Sequence, residues 1–115
     1  MSVVLQASGT QTAVIGTEHQ LADTNVSGAF TFHVDTVNMA AGDVIELRVY
    51  QMGLTGGTPR VVFEQAFYGV QLTDDTMKVS FPIGNDLTDS TALRFSLKQT
   101  LGTGRAFPWK VLKYQ

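Results

Sequence analysis

Histidine is the side chain best suited to proton transfer or metal ligation near neutral pH, and the chain holds two, His19 and His33. His33 stands two residues from Asp35, and Thr31 stands two residues before it. On a strand that spacing puts all three on one face. A zinc site needs at least three converging protein ligands, and no third ligand accompanies His33 and Asp35. His19, beside Glu18, has no better company. The reading for both is an exposed strand histidine.

Carboxylate pairs could perform acid–base chemistry. The densest acidic spots are Asp74-Asp75 and Asp86 with Asp89. Neighbouring residues of a strand point to opposite faces, and aspartates in turns bond their own backbone. Calcium would need an alternating Asp-x-Asp-x-Asp series, which is missing. A serine nucleophile would need a Gly-x-Ser-x-Gly elbow, also missing. Gly102-Thr103-Gly104-Arg105 has part of a phosphate loop's glycine pattern but lacks its lysine. The expectation there is a hairpin turn. With no cysteine in the chain, disulfides and thiolate chemistry are excluded. The chain reads as a non-enzyme without cofactor or metal, whose work is binding or building.

Its 115 residues suit one domain. Charged side chains make up 16% of it and the net charge is −2. That is below the roughly 25% of a typical soluble domain, so Thr, Ser, Gln and Gly, or a partner, must cover the surface. The acidic sum and the lack of a basic run give no reason to expect nucleic acid. No apolar window approaches the roughly 18 residues of a membrane span. The start, Met1-Ser-Val-Val-Leu-Gln6, has neither the basic residues nor the apolar core of an export leader, so no export by that route is expected.

Period-2 alternation marks the elements that must position anything functional. Phe30, Phe32 and Val34 share one face, with Thr31 and His33 opposite. Ile45, Leu47 and Val49 do the same against Glu46 and Arg48. Val61, Phe63 and Phe67 form a stripe interrupted by Gln65. Met77, Val79 and Phe81 alternate with Lys78 and Ser80, and Leu93, Phe95 and Leu97 with Arg94, Ser96 and Lys98. Phe107, Trp109 and Val111 close the series. Thr12–Ile15 and His19–Asp23 carry shorter stretches of the pattern. Each apolar set is expected to face inward. Leu54-Thr-Gly-Gly-Thr-Pro59 reads as a hairpin loop. Asp35 to Gly42 is expected to form one helical turn, capped by Asp35 and ended by Gly42, and Asp86 to Ser90 a second.

About eight short strands with regular turn signals predict an all-β fold, a single antiparallel β-sandwich of jelly-roll type. Residues 12–115 would form it. Residues 1–11, polar and poorly patterned, are expected to be an arm ordered by a partner. Such an arm could add a strand to a neighbour's sheet edge. The candidate interface takes Val3 and Leu5 from the arm, Leu54, Thr55 and Pro59 from the loop, and Arg105, Trp109 and Tyr114 from the end. Trp109 is the only tryptophan. It suits core packing first, and an aromatic anchor second, because Trp, Tyr and Arg dominate binding hot spots. Pro108 suits an edge strand or a strand start.

Gly42-Asp-Val-Ile-Glu-Leu-Arg-Val49 and Leu97-Lys-Gln-Thr-Leu-Gly-Thr-Gly-Arg-Ala-Phe-Pro-Trp-Lys-Val-Leu112 resemble segments of small virion proteins of tailed bacteriophages. Thr17-Glu18-His19 and the Gly56-Gly57-Thr58 loop are similar too, so the likeness runs from about Thr17 to Leu112. It implies a β-rich structural protein made in the bacterial host cytoplasm and located in the virion. The role implied is a capsid decoration, or cement, protein that bridges subunits. The implied partners are the major capsid protein and other copies of itself, with neither nucleic acid nor membrane. The motifs are structural, so no residue's role carries over. A tail, neck or fibre-associated domain and a carbohydrate-binding module stand as alternatives. A cell-wall hydrolase is the enzymatic one.

Overall fold

The apolar stripes become strands wherever they are long enough to reach across a sheet. The computed structural model describes residues 2–115 and contains nine strands among them. They are β1 (Val3–Thr12), β2 (Glu18–Thr24), β3 (Gly28–Asp35), β4 (Val44–Gln51), β5 (Arg60–Tyr68), β6 (Met77–Val79), β7 (Ile83–Asn85), β8 (Leu93–Leu101) and β9 (Ala106–Tyr114). Two antiparallel sheets result. The first has the order β1-β9-β3-β6, with β7 also paired to β3, and the second has the order β2-β8-β4-β5.

The topology follows from one reversal. At the β4–β5 hairpin the chain turns back on itself. Thereafter β5 pairs with β4, β6 and β7 with β3, β8 with β2, and β9 with β1. Both β6 and β7 lie against β3, at its two ends, so they are halves of one strand interrupted between Ser80 and Pro82. Counted so, the molecule is an eight-stranded antiparallel jelly roll, a ribbon of strand pairs wrapped so that successive pairs alternate between sheets.

The four central strands carry the core. Phe30, Phe32 and Val34 of β3, Ile45, Leu47 and Val49 of β4, Leu93, Phe95 and Leu97 of β8, and Phe107 and Val111 of β9 are all buried. The rings of Phe32 and Phe95 meet across the layers at 5.5 Å. Burying each such side chain stabilises the fold by roughly 1.5–3 kcal/mol. Phe63 and Phe67 are only half-buried, because β5 is an edge strand whose inward face is covered on one side alone.

Four expectations are corrected. The first is the arm. Residues 3–12 form β1, paired along their length with β9 in the same molecule, and Ser2 and Gln115 exchange backbone hydrogen bonds at the end. The sequence shows no apolar stripe here because the bulge at Gln6 breaks the alternation and the inward residues beyond it, Ala7 and Gly9, are small.

The second correction is the direction of β6. Met77, Val79 and Phe81 face out, 46%, 52% and 54% exposed, while Lys78 and Ser80 are buried. Alternation tells which residues share a face but not which face is inside. Here polar partners decide. Ser80 exchanges hydrogen bonds with Phe32, its N–H donating to the Phe32 carbonyl at 2.8 Å and its hydroxyl oxygen accepting the Phe32 N–H at 2.9 Å. The Lys78 ammonium pairs with Asp75 at 3.1 Å and lies 5.0 Å from the centre of the Phe67 ring.

The third and fourth corrections concern the helical turns, for no helix occurs among the described residues. From Asp35 to Asp43 the chain instead makes linked turns. Asp35 accepts the Val37 N–H at 3.0 Å, Thr36 that of Met39 and Ala40 that of Asp43. Met39 is buried in the core and anchors the crossing between sheets. Between Asp86 and Ser90, Asn85 takes over the local bonding through Leu87 and Val26.

Candidate interaction surfaces

Strand register sorts the candidate interface residues into two separate groups. Val3 lies opposite Tyr114, and Leu5 opposite Leu112, on the outer face of the first sheet. The Tyr114 hydroxyl is 3.0 Å from that of Thr31, itself 2.8 Å from His33 Nε2. Leu54, Thr55 and Pro59 lie in the β4–β5 loop of the second sheet. That loop is tethered, since Gly57 donates to the Leu54 carbonyl and Gly56 to the Asp89 carboxylate, both at 2.9 Å. Leu54 is 78% exposed at its tip.

Trp109 faces the other way. It pairs with Val34 on the inward face of the first sheet and packs on the core. Its indole lies over Gly9, where an added Cβ would come within 3.2 Å of the ring. The ring is partly buried, held between Gly9 and the core. Pro108 falls just beyond the stretch of β9 that pairs with β3. There β9 has β1 alone as neighbour, and the missing N–H leaves no ladder bond broken.

Arg105 is committed inside the molecule. Its guanidinium bonds the carboxylate of Asp43 at 2.8 Å, and the Asp43 side chain is only 1% exposed. The same carboxylate accepts the N–H of Ala40 at 2.9 Å and of Thr103 at 3.3 Å. Burial alone would raise the Asp43 carboxyl, but these bonds and the Arg105 charge outweigh it and hold it below the usual range. Buried Gln99 completes the junction, donating to the Leu101 and Thr103 carbonyls and accepting the Arg105 N–H. Gly102 has φ of 94°, and a Cβ there would overlap Asp43. So Gly102 to Arg105 is not the hairpin turn expected but the loop that carries the chain from β8 in the second sheet to β9 in the first, locked onto the β3–β4 crossing.

The outer face of the second sheet carries a charge network that sequence reasoning found only in part. Glu46 and Arg48 were legible as the polar face of β4. Cross-strand pairing then brings in Glu18 of β2 and Glu64 of β5. Arg48 contacts Glu18 at 2.9 Å, Glu46 at 2.7 Å and Glu64 at 2.5 Å. Glu18 also accepts the hydroxyls of Tyr50 at 2.6 Å and Ser96 at 2.7 Å. Burial works to raise the Glu18 carboxyl, yet the bonds from Tyr50, Ser96 and Arg48 prevail and lower it. A general acid needs the reverse. Glu18 therefore stays ionised, and the network ties the four strands together across the sheet.

The outer face of the first sheet exposes apolar side chains among polar ones. On the first sheet's outer face Val3, Leu5, Met77 and Val79 are 46–61% exposed. Between them lies a shallow depression of about 250 Å³, lined by Leu5, Ser8, His33, Met77, Pro108 and Lys110 among others. Burial, and secondarily the Lys110 charge, push the His33 imidazole below its usual value. Among the described residues no three His, Asp or Glu side chains are grouped to hold a metal ion, and His33 and Asp35 gain no further ligand. Only pairing register could have revealed this face, since its residues come from four strands. Comparison with known proteins yields no matching family model, curated protein or solved structure.

Proposed function

We propose that this chain is a non-enzymatic structural protein of a tailed-phage virion, and specifically a decoration protein that stabilises the head by bridging capsid subunits. The observation carrying the proposal is the apolar outer face of the first sheet, held on a scaffold cross-tied at every level. Exposed apolar patches of this kind mark interaction surfaces. A decoration protein binds a repeating lattice, where many weak contacts act together, and a lightly charged, Thr-, Ser- and Gln-rich surface suits wide contacts of that sort.

The resemblance supplies the choice among binding roles. Its two longer segments meet in space, because Gly42–Val49 brings Asp43 and Leu97–Leu112 brings Gly102 and Arg105 to the same junction. The likeness thus attaches to the lock that sets the ends of the sandwich. Jelly rolls serve in capsids, lectins and cupins alike, so the architecture by itself does not select a function. Against the sugar-binding alternative stands the position of Trp109, packed over Gly9.

The test is quantitative mass spectrometry of purified particles from cells that express the chain. A copy number close to that of the major capsid subunit supports decoration. A few copies per particle would transfer the chain to tail, neck or fibre. Absence from particles would end the proposal.

A further inference from the structure

The sandwich ends in open strand edges, and they are not alike. An edge strand offers a row of unpaired N–H and C=O groups to any other chain, and proteins guard such rows with charge, proline, bulges or short length. In the second sheet the edge strand β2 carries Glu18, His19 and Asp23, and β5 carries Arg60 and Glu64. At the far edge of the first sheet, β6 and β7 have three residues each and β6 carries Lys78. The remaining edge, β1, is ten residues long and has no charged residue and no proline. From Met1 no charge occurs before Glu18. One bulge, at Gln6 between Leu5 and Ala7, is its only guard.

We infer that β1 is a dimerisation edge, where two copies of this chain pair antiparallel through β1 and continue the first sheet from one molecule into the other. The occupant is a second copy because β1 complements itself. In a two-fold pairing each residue meets a residue of the same strand, so a charge near the axis would face its like. A strand without charges avoids that penalty in every register. The apolar residues are also placed for it. Val3 and Leu5 lie at the start of β1, 53% and 61% exposed, and Val14 and Ile15 just past its end, 60% and 41% exposed. With the two-fold at Gly9 and the bulge at Gln6 taking up one residue, Val3 of one copy falls beside Val14 of the other, and symmetry repeats the contact. At about 3.4 Å per residue the paired line is on the order of 30 Å long. The dimer goes beyond the virion proposal and stands without it.

The experiment uses the full chain. Sedimentation equilibrium from about 1 µM to about 100 µM is expected to show a dimer of twice 12.5 kDa. Hydrogen exchange is expected to protect alternate β1 amides, those whose N–H points away from β9. The double variant Ser8→Lys with Thr10→Lys changes two exposed side chains and sets four ammonium groups about the axis. It should sediment as a monomer with an unchanged circular-dichroism spectrum, and the protection should vanish. Wild-type exchange reads the edge directly, so the inference stays testable even if the variant misfolds. A wild-type monomer throughout the range would overturn it. So would a dimer whose outward β1 amides exchange freely, since that interface would lie elsewhere.

Discussion

Replacing Asp43 by alanine should be among the most damaging single changes outside the apolar core. The carboxylate satisfies three donors, the Arg105 guanidinium and the N–H groups of Ala40 and Thr103. A hydrogen bond to a charged group contributes about 1.5–3 kcal/mol, and a buried donor left without a partner costs about 1–3 kcal/mol. Arg105 keeps 31% of its side chain exposed and recovers part of its loss from water, which favours the low end, about 3 kcal/mol in all. For 115 residues the unfolding entropy is about 0.24 kcal/mol/K, so the melting temperature should fall by about 12 °C. Asp43→Asn keeps an oxygen acceptor without the charge and should lose roughly half as much. Calorimetry at pH 7 reads all three proteins, with exposed Asp74→Ala as the unaffected control. The gap should also depend on acid. A carboxyl held below its ordinary 3.8 contributes stability that is full above that pH and is lost as pH falls through the lower folded value. A D43A protein melting within about 3 °C of wild type would refute the junction as a structural lock, as would a gap that persists unchanged in strong acid.

Other outcomes follow from the same reasoning. Leu47→Ala should cost about 2–5 kcal/mol, and Phe63→Ala distinctly less because β5 is an edge, which urea titration can compare directly. Gly9→Val should displace the Trp109 indole and red-shift its fluorescence, whereas Gly53→Val, where an added Cβ meets nothing within 4 Å, should leave the emission unchanged. Val79→Thr should leave the melting temperature nearly unaltered while Lys78→Ala lowers it, the reverse of what the apolar stripe alone would suggest. His33 is held below 6.5, so folding favours its neutral form and stability should fall as pH drops below that value. His33→Gln should flatten this part of the melting-temperature profile between pH 8 and pH 5.

The central strands were legible because alternation and burial agree there. In β3, β4 and β8 each apolar stripe faces the opposite sheet, and the polar set opposite contains Arg48 and Ser96 as expected. Legibility failed where a polar partner or a small residue decides. Ser80 and Lys78 turn β6 over because Phe32 and Asp75 hold them. The strand β1 is hidden because Gly9 makes room for Trp109, a contact separated by a hundred residues. The candidate interface shows the same division. Val3, Leu5 and Tyr114 gather on one face, while Arg105 is claimed by Asp43 and Trp109 by Gly9. Both claims are long-range pairings that carry no local signal.

The decisive measurement for the virion proposal is a density map of the assembled particle at a resolution sufficient to place a small β-sandwich. That proposal predicts this jelly roll on the outer surface of the head, repeated at the junctions between capsid subunits, with the first sheet's apolar face turned toward them. Density for the domain confined to the tail, or that face left open to solvent on the head, would contradict it.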